Sequence, residues 1–193
     1  IGVTYVEYVA DGGDYYAKYY CSRESGKAFA YYDFSSNVTD AATVDVEFDC
    51  YFNSGSWQSF ISLADADYHT ADVLGIGNVN YDATGAIFNL GQNRAKVSGT
   101  NENHFGINSA HVSTLDETCL NTWIHVNVTV DNVNKKVSYT IKNAGQTSTL
   151  KEESNIAFLN TFAQRCSQID IYIGNNTDNF VYIDNLVITK TLS

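Results

Sequence analysis

The run NTWIHVNVTVDNVNKKVSYTIK, Asn121 to Lys142, constrains this chain more than any other stretch. Ile124, Val126, Val128 and Val130 alternate with His125, Asn127 and Thr129, and the same period resumes at Val137, Tyr139 and Ile141 after a polar turn at Asp131–Lys136. A period of two places each apolar set on one face of a strand, and the short polar connection makes the two strands antiparallel neighbours. A second unit of the same kind closes the chain, where Ile169, Ile171 and Ile173 are followed by FVYIDNLVITK.

Further strands are expected at Thr4–Ala10, Tyr15–Ser22, Ala28–Phe34, Thr43–Phe52, Ser56–Ala64, Asp72–Asn80 and Gly85–Leu90. Turn signals separate them: AspGlyGly at 11–13, SerGly at 25–26, AsnSerGly at 53–55 and AlaThrGly at 83–85. Many short strands with polar turns predict an all-β fold, a two-sheet antiparallel sandwich. One short helix or turn is expected at Ser154–Ala163, where Ile156, Leu159 and Phe162 recur every third residue behind a candidate Ser154 cap. Asn93–Thr118, with few apolar anchors, reads as long loops. No linker interrupts the chain, so residues 1–193 read as a single domain, expected to be a module of a longer, processed protein.

Charge narrows the partners. Eleven Lys and Arg against 22 Asp and Glu give a net charge of -11, a field that repels nucleic acid and anionic membrane surfaces. No apolar run approaches the ~18 residues of a membrane span. Cys21, Cys50, Cys119 and Cys166 show no CxxC spacing and make a zinc site a poor fit. They leave two readings open, a pair of disulfides in an exported protein or buried thiols, with Cys50 sharing the core parity of Val44, Val46 and Phe48.

The strands ATVDVEFDCYF, TWIHVNVTVDNVNKKVSYTI and FVYIDNLVITK together resemble those of the concanavalin-like, laminin-G-like jelly rolls of polysaccharide-acting bacterial proteins. The resemblance implies a jelly-roll sandwich, a carbohydrate-binding role and a secreted or cell-surface location. It also implies a closing strand beside the first one, with a structural calcium where the two meet. Glu7 and Asp184 match the positions that would hold the ion, and Asp11 or Asp14 would add oxygens. The competing reading of Asp184 and Asn185 is a turn capped by its own side chains.

Asp45, Glu47 and Asp49 alternate with Val46 and Phe48, so three carboxylates project from one strand face, with neighbours ~7 Å apart. The array resembles the acidic strand of jelly-roll laminarinases and lichenases with the residue types inverted. A retaining glycoside hydrolase or lyase is therefore one reading, with Asp45 as nucleophile, Glu47 as helper and Asp49 as acid/base. A hydrated acidic face is the other. For sugar binding the candidates are Tyr51, Trp57, Tyr68, Tyr81 and His104, because apolar rings stack on the C–H faces of pyranoses, with Asn103 and Asp49 taking hydroxyls. Trp123 reads as core packing and His125 as a solvated residue on the opposite strand face. The leading expectation is a non-catalytic module that binds a plant or microbial polysaccharide. The hydrolase and an adhesin-like protein-interaction domain stand as alternatives.

Overall fold

A computed structural model describes residues 4–21, 28–38, 41–53, 59–69, 85–97, 100–107, 113–115, 117–173 and 179–192. Thirteen strands run in chain order among them. β1 (Thr4–Asp11), β2 (Asp14–Cys21), β3 (Ala28–Asp33), β4 (Ala41–Phe52) and β5 (Ser59–Ala64) form the first half. A four-residue helix, α1 (Ala66–His69), precedes β6 (Ala86–Val97), β7 (Thr100–Ile107) and β8 (Ser113–Thr114). The last five are β9 (Trp123–Asp131), β10 (Lys136–Asn143), β11 (Thr149–Ala157), β12 (Gln168–Ile173) and β13 (Phe180–Leu192). They build two antiparallel sheets, a seven-stranded one in the order β1-β2-β13-β4-β9-β10-β11 and a six-stranded one in the order β3-β12-β5-β6-β7-β8.

Register explains how the alternation becomes a core. Across the seven-stranded sheet Val44, Val46, Phe48 and Cys50 stand opposite Val130, Val128, Val126 and Ile124. Those residues of β9 face Val137, Tyr139 and Ile141 of β10, while Ile183 faces Cys50 on the other side. All are buried, and they meet Ile61, Leu63, Phe88, Leu90, Ile169, Ile171 and Ile173 of the second sheet. Each large side chain so buried stabilises the fold by roughly 1.5–3 kcal/mol. The β9–β10 turn is held by Asp131, whose Oδ1 accepts the N–H of Val133 (3.0 Å) and of Asn134 (2.8 Å). The bonds from Asn134 lower the Asp131 pKa, so the turn's acceptor is an ionised carboxylate.

Four expectations are corrected. Ser154–Ala163 is not a helix: its first part belongs to β11, and beyond it comes a turn in which the amides of Phe162 (2.8 Å) and Ala163 (3.3 Å) bond to Asn160. Leu159 N–H goes to the Ile87 carbonyl (3.1 Å) and Asn160 N–H to the Ala86 carbonyl (2.9 Å). The buried carboxylate of Asp65 then takes the amides of Gln164 (2.6 Å) and Arg165 (3.2 Å). Long-range acceptors thus capture several of the donors a local helix would have used. Asn93–Thr118 is not loop throughout, since β6 extends to Val97 and pairs with β7; among the described side chains there, Phe105, Ile107 and Leu115 are buried anchors. The closing strand does not lie beside the first. The two-residue Gly12–Gly13 turn, with φ of 57° and 106°, folds β1 back onto β2, and β2 takes the place next to β13. Finally, Cys50 and Cys166 are buried thiols, which rules out a two-disulfide arrangement.

Burial, reinforced by the neighbouring Asp49, pushes the Cys50 thiol pKa well up, and burial beside Asp65 and Asp170 does the same for Cys166. The reactive thiolate is therefore scarce at both positions. Native protein at neutral pH is expected to leave these two cysteines unlabelled by iodoacetamide and to label them after denaturation, as read by peptide mass spectrometry. Rapid native labelling of Cys50 would contradict the packing of β4.

Candidate functional site

The outer face of the seven-stranded sheet carries the chemistry. Because Val46, Phe48 and Cys50 point inward, Asp45, Glu47 and Asp49 share the opposite face of β4, as their spacing requires. Asp45 accepts the Thr129 hydroxyl at 2.5 Å. Asp49 has both oxygens engaged: Oδ1 accepts the Nδ1–H of His125 (2.8 Å), and Oδ2 accepts the side-chain amide of Asn185 (2.7 Å). The other ring nitrogen of His125 lies 3.4 Å from Glu47 Oε1. His125 does face away from the core, but it is only 6% exposed, wedged between two carboxylates rather than solvated.

Beside the acids lies an aromatic sheet surface. Register puts Tyr182, Tyr51 and Trp123 side by side across β13, β4 and β9. Tyr51 lies 5.2 Å from Tyr182 and 6.0 Å from Trp123, centroid to centroid. Tyr16 of β2 joins from one side, 5.3 Å from Trp123 and 4.8 Å from Tyr182, and Phe180 stacks 4.8 Å from Tyr182. All five rings are half-buried. Burial, then the neighbouring Tyr16 and Tyr51 hydroxyls and Glu7, raise the Tyr182 pKa, so this phenol stays neutral and can donate a hydrogen bond. Trp123 was expected in the core; it shares the parity of His125, not of Ile124, and therefore stands on the outer face.

A recess of about 250 Å³ opens where the rings meet the acids, lined by Asp14, Tyr15, Tyr16, Asp49, Trp123, Ala144 and Asp184. Asp184 Oδ1 accepts the N–H of Asn185 (2.8 Å), and Asp14 Oδ1 accepts that of Tyr15 (2.8 Å), which fixes both carboxylates. Glu7 is elsewhere: it lies across β2, paired with Lys18 at 3.8 Å. The strand order thus brings Asp14 and Asp184 to one recess and leaves Glu7 apart. Among the described residues no three His, Cys, Asp or Glu are grouped to hold a metal ion. The side chain of Asp11 lies outside the described residues, as do those of Tyr68 in α1 and of Asn103 and His104 in β7. Trp57 and Tyr81 lie outside them altogether, as does the strand expected at Asp72–Asn80.

No protein-family model matches the chain, and no curated protein matches it by sequence. Solved structures do match it. Peanut lectin superposes with a TM-score of 0.58 at 13% identity, over 100% of this chain and 91% of the lectin. A lectin from Bauhinia forficata, solved with GalNAc, gives 0.56 at 13% identity over 98% and 87%. A sialidase gives 0.52 at 11% identity over 96% of this chain, which spans only 16% of that enzyme. The chain has a concanavalin-like fold. This concanavalin-like sandwich is all-β, with two antiparallel sheets, as the strand patterns imply.

Tyr16, Trp123, Phe180, Tyr182 and His125 are the site residues that sequence reasoning passed over. Strand parity was the signal available: in β13, Val181 and Ile183 are the inward pair, which sets Phe180, Tyr182 and Asp184 outward.

Proposed function

We propose that this protein is a secreted, non-catalytic carbohydrate-binding module that holds a polysaccharide on the outer face of its seven-stranded sheet. The observation that carries this reading is the group of five half-buried rings, Tyr16, Tyr51, Trp123, Phe180 and Tyr182, set beside an aromatic-walled recess edged by carboxylates. A packed aromatic surface left open to solvent suits the C–H faces of sugar rings, and fixed polar groups at its edge suit their hydroxyls. The lectin likeness is compatible with such a role. Two engagements favour binding over hydrolysis. Asp49 has both oxygens committed to His125 and Asn185, and Asp45 is held by Thr129, whereas a retaining hydrolase needs a carboxylic acid placed to protonate the leaving oxygen.

Affinity electrophoresis through gels containing a panel of plant and microbial polysaccharides tests the reading. At least one glycan is expected to retard the protein, and Trp123→Ala is expected to weaken that retention by roughly tenfold or more, about 1.4 kcal/mol or above. Tyr16→Ala should weaken it in the same direction. Circular dichroism should show the fold intact in both variants. Unchanged retention would remove the site from this face, and a loss confined to Trp57→Ala would move it to that residue. Running the panel with calcium and again with chelator reads any part played by the ion.

A further inference from the structure

We infer that the recess selects a sugar bearing a free ammonium group, so that the preferred polysaccharide is an amino-glycan with unacylated amines. This rests on the carbohydrate reading above and narrows its ligand. The recess is in the first place an aromatic one, with Tyr15, Tyr16 and Trp123 in its wall. Its volume of about 250 Å³ lies just below the roughly 300–1,000 Å³ of drug-sized pockets and suits a single sugar residue of a chain running over the open face.

What distinguishes it from a neutral sugar platform is the polar part of that wall. Asp14 and Asp184 contribute carboxylates, Asp49 adds one whose oxygens already hold His125 and Asn185, and no lysine or arginine lines it among the described residues. Lys18, on the aromatic side, is paired with Glu7 and lies over the rings of Tyr20 and Phe180, at 5.2 Å from each centroid. Carboxylates are acceptors only, so an ammonium with its three N–H donors complements them better than an acetamide or a hydroxyl. The ring faces add in the same sense, because the aromatic quadrupole attracts cations. A uronic acid or sulfated glycan would meet both the local carboxylates and the net charge of -11, and is excluded on the same grounds.

Calorimetric titration with a β-1,4-linked glucosamine hexasaccharide, its fully N-acetylated counterpart and cellohexaose decides the matter, at mildly acidic pH where the sugar amines are protonated. The free-amine oligomer is expected to bind about tenfold more tightly than the other two, an electrostatic advantage that shrinks as added salt shortens the Debye length from about 10 Å at 0.1 M to about 3 Å at 1 M. The double variant Asp14→Asn/Asp184→Asn should lose the preference, so that the free-amine and acetylated oligomers bind it alike. Glu152→Gln/Glu153→Gln, an equal change of net charge on β11 at the opposite edge of the sheet, should keep the preference. Equal binding of the three oligomers would overturn the inference and leave the carbohydrate reading standing. So would equal loss of preference in both double variants, which would trace it to net charge alone, or a preference abolished by chelator. Failure of all three oligomers and of the polysaccharide panel to bind would overturn the carbohydrate reading itself.

Discussion

Gly91→Ala is expected to destabilise the protein by about 2–5 kcal/mol, a large share of the ~5–15 kcal/mol that holds a typical domain together. Gly91 sits in β6 directly opposite Phe60 of β5, with φ at +154°. A methyl group there would lie 2.2 Å from the Ser59 carbonyl oxygen and 2.6 Å from the Phe60 Cα. Both are backbone atoms, so no side-chain rotation relieves the clash. β6 would have to withdraw from β5 and stretch the ladder bonds of two central strands of the six-stranded sheet. Overpacking costs about 1–3 kcal/mol, and an L side chain at such a φ adds about 1–2 kcal/mol. Gly145→Ala is the matched control, because its added carbon would meet nothing closer than Thr147 at 3.9 Å; it should stay within about 0.5 kcal/mol of the parent. Urea unfolding of the three proteins reads the difference. A cost below about 1 kcal/mol for Gly91→Ala would mean that β5 and β6 are not in this register.

The sheet core was legible because alternation is a local property that burial then enforces. Val44–Phe52 and Ile124–Val130 point the same way in the sequence and in the sandwich, since slipping either by one residue would turn the apolar set into solvent. The same parity reached the acidic row of β4. It reaches Trp123 as well, because a residue flanked by Ile124 and aligned with His125 must leave the core; treating the first residue of the strand as part of its apolar run is what misplaced it. Other features had no local signal. The pairing of β6 with β7 rests on backbone bonds between polar segments, so hydropathy is silent about it. The turn after β11 looks helical by spacing, yet the amides of Leu159, Asn160, Gln164 and Arg165 go to Ile87, Ala86 and Asp65, residues far off in the chain. The aromatic face itself is assembled from β2, β4, β9 and β13, and only strand order shows that these four are neighbours.

Asp49→Ala is expected to cost about 2–4 kcal/mol, whereas Asp49→Asn should cost about 1 kcal/mol or less. Alanine removes the acceptor of a histidine whose side chain is 8% exposed, leaving a buried ring N–H without its partner. It also releases Asn185, which holds a positive φ of 52° in the irregular stretch between Asp184 and Val187 where β13 loses its even register with β4. Asparagine keeps the size of the side chain and an oxygen for His125, and a turn of the Asn185 amide restores the second bond. Equilibrium unfolding measures the two costs, and the same samples separate the competing roles of this residue. A positioning role predicts that Asp49→Asn keeps glycan retention nearly unchanged while Asp49→Ala weakens it through the displaced rim residue Asp184. A role as acid/base catalyst predicts the reverse emphasis: wild-type protein would release reducing ends from a β-glucan, and Asp49→Asn would abolish the release with stability and retention intact. The doubly hydrogen-bonded carboxylate favours the first pattern, because both of its oxygens already serve to hold His125 and Asn185 in place.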